Sequence, residues 1–319
     1  MSMFSKISAA VRQPYRVLSY IIDRGIGLYD LYSAYQRRLR SNKGVDIMEE
    51  DWDNLIILDA CRYDTYQEKK NIPGRCKPVI SKGSATVEFL RKNFTKQEYF
   101  DTVYVTANPH VDRHVEKRMY STISPWKTHW DEKYHTVMPE IMTDITAETA
   151  DMYPEKRLIS HYMQPHRPFI GNQGKTIEDY ESVDGHREIA LGNEPDWVGE
   201  NPYNLRKRGE LSETTIRDAY GENLELVLDA VEKLSSKLEG KTVITADHGN
   251  LFSDRFPPLP ESGFPHPPGM YLEDLVKVPW HVLPSEQRRT ITSAPPQEAT
   301  TNDIEEEVVH DRLGDLGYL

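Results

Sequence analysis

The sequence predicts an α/β fold on a mostly parallel central sheet, and two stretches of one design carry that expectation. In Asn54–Asp64, NLIILDACRYD, the run Leu55, Ile56, Ile57 and Leu58 has no helical period and too few polar residues for a surface strand. It fits a strand covered on both faces. Lys241–Asp247, KTVITAD, repeats the design: an apolar, β-branched run ends in an acid, followed at once by His248, Gly249 and Asn250. Ligands of open α/β sheets bind at the carboxyl ends of strands, so Asp59 and Asp247 are candidate metal or substrate contacts. A strand-end Asp that merely caps the next helix is the plainer alternative for Asp59. Carboxylate and imidazole together are good ligands for a divalent cation, which brings in His248.

The whole chain sets limits. Its 319 residues suit one large α/β domain, and a net charge of −12 argues against a nucleic-acid binder, which needs a positive face. Two cysteines, Cys61 and Cys76, are too few for a disulfide framework. No apolar stretch approaches the roughly 20 residues of a membrane span. The expectation is a cytoplasmic protein.

Residues 1–43 differ in charge from the rest. Lys6, Arg12, Arg16, Arg24, Arg37, Arg38, Arg40 and Lys43 face only Asp23 and Asp30, among apolar residues such as Leu18, Ile21, Ile22 and Leu31. Such a basic amphipathic arm either packs on its own domain or lies peripherally on the inner, anionic face of a membrane. Residues 44–319 are then the main domain.

After Asp59, the segment from Cys61 to Lys70 reads as a loop and short helix that Pro73 and Gly74 terminate. Arg62 either pairs with Asp64 on the surface or reaches an anionic substrate. In Ile80–Phe94, ISKGSATVEFLRKNF, a helix begins after Ser84 or Thr86, with Val87, Phe89, Leu90 and Phe94 on one face. A hydroxyl there is either an N-cap or sits where exposed amides and the helix dipole favour an oxyanion. Thr102–Ala107 reads as a strand, Tyr120–His135 shows no clear period, and Pro139–Met152 reads as a helix. Arg157–Met163, RLISHYM, is a further strand. It leads into Gln164-Pro165-His166-Arg167-Pro168, where a histidine between prolines has a defined direction.

Residues 171–207 are polar and read as an insertion or lid. Leu211–Leu238 gives the strongest helical pattern, with Ser212 as its cap. The Pro-rich loop Phe256–Pro268 carries His266, a last strand spans Val276–Leu283, residues 284–301 read as an exposed linker, and 303–319 as a terminal helix.

The motifs now assembled resemble, in their order, those of the alkaline phosphatase superfamily: Asp59 in NLIILDACRYD, GSATVEFLRKNFT, HYMQPHRPF, ADHGN, GFPHPPG and VPW. The set is most similar to the sulfatase-like branch, which includes archaeal sulfatase-like proteins and phosphoglycerol transferases. The resemblance implies a three-layer α/β/α sandwich and metal-assisted attack on a phosphate or sulfate ester through a covalent intermediate. It implies one divalent cation (Mn, Zn, Mg or Ca) on Asp59, Asp247 and His248, with Thr86 touching it as nucleophile and Ser84 as the runner-up. His166 and His266 would contact the transferred group or protonate the leaving oxygen, with Arg62 and Arg167 as further substrate contacts. The substrate would be a small molecule, or a glycan or lipid headgroup, bearing a phosphate or sulfate ester.

Two departures from the branch matter. Cys76-Lys77-Pro78-Val79-Ile80 has Ile80 where formylglycine maturation needs Arg, and Ala60 follows Asp59 where sulfatases pair two acids. Both favour phosphoester over sulfate-ester chemistry. The competing function is a catalytically degenerate member that binds a glycan or anionic headgroup.

Overall fold

The computed structural model describes residues 44–178, 187–188, 191, 201–252 and 265–295. The expectations for the basic arm 1–43, for the helix at 303–319 and for most of the Phe256–Pro268 loop fall outside those residues. Seven strands form one sheet: β1 (Asn54–Leu58), β2 (Arg75–Ile80), β3 (Tyr99–Thr106), β4 (Met119–Ile123), β5 (Arg157–Tyr162), β6 (Thr242–Ala246) and β7 (Lys277–Val282). Their spatial order is β2-β7-β6-β1-β5-β3-β4. The pairs among β6, β1, β5, β3 and β4 are parallel, and β7 runs antiparallel to both β6 and β2.

The reason β1 lies at the centre is visible in its side chains. Every residue of β1 is buried, and alternate residues enter different cores. Ile56 and Leu58 pack with helices α1 (Tyr63–Lys69), α4 (Pro139–Met152) and α5 (Glu213–Ser235). Leu55 and Ile57 pack with α2 (Thr86–Phe94) and α3 (His110–Val115). Helices therefore cover both faces, which makes three layers. Each of these aliphatic side chains contributes about 1.5–3 kcal/mol by leaving water.

Several local expectations change. The strands β2 and β4 were not legible as strands in the sequence. β2 is largely exposed and carries Pro78, so it shows no apolar alternation, while β4 is a short Met-Tyr-Ser-Thr-Ile run of mixed polarity. β3 begins at Tyr99, ahead of the expected Thr102. Helix α5 starts where expected, with the Ser212 hydroxyl accepting from the Thr215 amide.

The 171–207 region is not wholly a polar lid. Tyr203 is buried with Phe169, Ile216, Tyr220 and Phe252 in a separate apolar cluster, so its far end belongs to the core. Nor is 284–295 a free linker. Arg288 pairs with Asp51 and Asp53, and Arg289 donates to Asn54 Oδ1 and to the Tyr153 and Pro154 carbonyls. The segment is exposed but strapped across the amino-terminal edge of the sheet.

Candidate metal centre and catalytic cleft

Strand register builds the site. The β1–β6 pairing sets Leu58 beside Ala246, so Asp59 and Asp247 follow as neighbours at the carboxyl edge. The β1–β5 pairing sets His161 beside Ile57, two residues before Asp59 and therefore on the same face. Three strands thus deliver two acids and an imidazole to one spot on the α2 side. Asp59, His161 and Asp247 each offer a ligand atom, all within 4.8 Å of one another, and all three residues are buried.

His248 joins them. Its Nε2 lies 3.4 Å from Asp247 Oδ2 and 3.7 Å from Asp59 Oδ1. Its Nδ1 is 2.7 Å from the Gly249 carbonyl, which can only accept, so Nδ1 carries the proton and Nε2 presents a lone pair to the cluster. His161 is held from behind by Tyr104, whose hydroxyl is 2.9 Å from Nδ1. Burial lowers the His161 pKa to about 4, with His248 adding to the effect and Asp247 opposing it, so its imidazole is neutral at pH 7.

The two acids are anchored on one side only. Asp247 Oδ1 accepts from the amides of Ala60 and His248, at 3.0 and 2.8 Å. Asp59 Oδ2 accepts from Asn108 Nδ2 at 2.6 Å. Among the described residues, Asp59 Oδ1, Asp247 Oδ2 and His161 Nε2 are buried without a hydrogen-bond partner. Burial first, and then the Asp247 charge, raises the Asp59 pKa well above the usual carboxylate range. Orphaned buried oxygens beside a neutral imidazole nitrogen form a donor set that could hold a divalent cation, and an O/N set of this kind suits Zn or Mn.

Thr86 opens α2 and brings its hydroxyl to this cluster, 3.2 Å from His248 Nε2 and 3.5 Å from Asp59 Oδ2. The N-cap is Ala85, which makes no side-chain cap, so neither hydroxyl plays the capping role the sequence allowed. The Glu88 carboxylate accepts the Ser84 amide instead. Ser84 itself is fully buried, its hydroxyl bonded with Glu88, the Pro267 carbonyl and the Met270 amide. It ties α2 to the 267–270 loop, and no hydrogen bond joins it to the cluster.

Two glycines allow this closeness. A Cβ at Gly83 would sit 2.4 Å from the Phe89 nitrogen, and one at Gly249 would sit 2.1 Å from the Asp274 oxygen. At Gly249 the requirement is this close backbone approach and not a left-handed turn, since its φ is not positive. The positive φ belongs to Ala60, at 57°, immediately after Asp59.

The remaining predicted contacts divide. His166 and His266 meet at 2.9 Å through their Nε2 atoms, and the His266 ring lies 4.8 Å from that of His248. His166 Nδ1 faces the Arg167 carbonyl at 2.5 Å, and its amide donates to the Asp59 carbonyl, which docks this loop on β1. Arg62 lies apart from the cluster: its guanidinium bonds Asp64 and the Asn250 carbonyl, pairs with Asp274 and stacks over Phe252. It holds loops together, and contrary to the surface pairing expected it is buried. Arg167 lines the cleft, but its Nε and Nη2 bond the buried Glu178.

Three residues of the site were not placed in it from the sequence. There His161 stands only, with His166 and His266, as an alternative ligand of a second metal site, and it is the β1–β5 register that aims it at Asp59. Asn108, just past β3, and Asn223, which reaches the Pro165, His166 and Pro168 carbonyls from α5, carry no motif at all.

No protein-family model matches the chain, and no curated protein matches it. Among solved structures, the soluble domain of lipooligosaccharide phosphoethanolamine transferase A from Neisseria meningitidis is similar over 73% of this chain and 76% of that one, at 12% identity and a TM-score of 0.45. The periplasmic domain of phosphoethanolamine transferase EptC from Campylobacter jejuni matches over 72% and 77%, at 12% identity and a TM-score of 0.44. The corresponding EptC domain from Escherichia coli, in complex with Zn, matches over 76% and 75%, at 14% identity and a TM-score of 0.44. Likeness this distant leaves the chemistry to the chain's own residues.

Proposed function

We propose that this protein is a metal-dependent hydrolase or transferase of phosphate esters, with Thr86 as the nucleophile. The observation that supports it is the Thr86 hydroxyl at a helix N-terminus, 3.2 Å from His248 Nε2 and beside three orphaned ligand atoms. Asp59, Asp247, His248 and His161 would hold one cation. When bound, it supplies charge neutralisation for the transferring group and lowers the cost of the Thr86 alkoxide.

The residues perform the rest. Thr86 Oγ1 forms a bond to phosphorus as the ester's P–O bond breaks, and its proton has an acceptor in Asp59 Oδ2. Amides of the first turn of α2 face the developing charge. The leaving alkoxide takes a proton from the His166/His266 pair. With His166 Nδ1–H donating to the Arg167 carbonyl, the neutral His166 accepts at Nε2 from His266, which as an imidazolium would give its Nδ1 proton to the alkoxide and remain a neutral imidazole protonated at Nε2. Water or a second alcohol then discharges the phosphothreonine. Sulfate esters would fit the same geometry, but the missing formylglycine motif and the single acid at Asp59 favour phosphate.

The test is turnover of aryl phosphate, phosphodiester and aryl sulfate with Mn, Zn, Mg or Ca supplied. Thr86→Ala should lower kcat by at least about a thousandfold, as loss of a nucleophile does. Ser84→Ala should retain the chemistry and lose about 1–3 kcal/mol of stability from its buried hydrogen bonds. Undiminished turnover in Thr86→Ala sinks the reading.

A further inference from the structure

The cleft above Thr86 encloses a cavity of about 170 Å³, and most of its wall is apolar: Ala85, Val87, Pro109, Trp130, Met163 and Pro268. Four imidazoles, those of His110, His135, His166 and His266, also line it, and its amide and guanidinium groups are engaged near the floor. Asn108 donates to Asp59, and the only permanent cation among the described residues that line the cavity, Arg167, is neutralised by Glu178, whose other oxygen accepts from the Phe169 amide. A second anionic group on a substrate would therefore find no uncompensated Arg or Lys among these lining residues.

Trp130 is carried by a stiff turn. The Asp131 amide donates to the Thr136 carbonyl at 2.8 Å, and Asp131 Oδ1 accepts from the amides of Lys133 and Tyr134 at 2.9 and 2.8 Å. Gln164, in the loop that bears His166, reaches the Val137 carbonyl at 3.3 Å, so the turn is fastened to the catalytic loop. The Arg187 guanidinium lies 5.1 Å from the centroid of the Trp130 ring and helps fix the indole. An indole held this way is a platform made before any ligand arrives, and a rigid aromatic wall recognises flat apolar groups at low entropic cost.

We propose that the part of the ester not transferred is an uncharged, apolar group with a flat face, and that Trp130 is the residue that selects it. This rests on the functional reading above, which supplies the place of the transferred group on the cavity floor.

Binding measures this without turnover. Protein supplied with Zn is titrated calorimetrically with phenylphosphonate, methylphosphonate and 4-carboxyphenylphosphonate. Phenylphosphonate should bind about tenfold or more tightly than methylphosphonate, and the added carboxylate should remove most of that advantage. Trp130→Ala should bring the phenyl and methyl ligands to within about twofold of each other, and Trp130→Phe should keep most of the preference, which separates loss of the platform from loss of the fold. Equal affinities in the wild type, no measurable binding of either ligand, or a preference that survives Trp130→Ala overturns the proposal. If phenylphosphonate is selected but phenyl phosphate is not turned over, the pocket assignment stands and the catalytic reading falls.

Discussion

Asp59 and Asp247 place two carboxylates side by side in a buried site, and each leaves one oxygen without a hydrogen-bond partner among the described residues. Like charges this close destabilise the protein until a cation or proton arrives. Asp59→Asn should therefore stabilise the metal-free protein, since its amide can keep the Asn108 contact and donate to Asp247. The expected gain is about 1 kcal/mol, or roughly 2–4 °C in Tm for a domain of this size, and differential scanning calorimetry in a chelating buffer would read it. The same variant should lose most of its metal affinity. A lower Tm would show that the carboxylates are not in conflict. At this scale the sequence was informative where a residue closes a strand: Asp59, Asp247 and His248 could be found because an apolar run points at each. His161 could be named as a candidate ligand but not placed in this cluster, because its partner is fixed by register, a relation between segments about a hundred residues apart in the chain.

Elements were legible in proportion to how completely they are buried. β1, β5 and β6 read as continuous apolar runs because helices cover both faces, and α5 read clearly because its inward residues recur at helical spacing. β2 was opaque for the opposite reason, since it takes its strand geometry from β7 rather than from its own composition. That antiparallel edge also contains a titration. Tyr66 from α1 bonds His281 of β7 at 2.7 Å, and burial, with Lys70 adding to it, lowers the His281 pKa to about 4. A folded-state pKa below the unfolded value of about 6.5 means that the unfolded chain takes the proton first. Stability from His281 is thus fully present above pH 6.5 and drains as pH falls toward 4. The slope is at most about 1.4 kcal/mol per pH unit for one proton. Tm measured from pH 7 to 4.5 should fall less steeply in His281→Gln than in the wild type, and identical slopes would remove His281 from the account.

Across the whole molecule, stability and chemistry occupy opposite ends of the sheet. The carboxyl edge holds unsatisfied acids, a left-handed Ala60 and close-packed glycines, features that cost free energy. The amino edge is saturated: Arg157 stacks 3.4 Å from the Trp52 ring centroid and bonds three carbonyls, and Arg288 spans Asp51 and Asp53. Bonds from Lys241 and then Arg288 bring the Asp51 pKa down to about 2. Ligation at the carboxyl edge should therefore be visible in global stability. A cation at a hundredfold excess over its Kd adds about 2.7 kcal/mol, which a thermal shift of several degrees would report. Zn or Mn that leaves Tm unchanged in the wild type would argue against a site there.

The sheet also ends itself. Pro78 of β2 stands opposite Pro279 of β7, and neither has an amide hydrogen to exchange, so the two form a position without ladder bonds between them. Backbone groups of Pro78 at such a position turn away from β7, to the side on which no further strand pairs among the described residues, where Pro78 offers a carbonyl but no donor, flanked by Lys77. An incoming strand would meet a gap in the ladder and a positive charge together, which protects this margin from recruiting copies of itself into fibres.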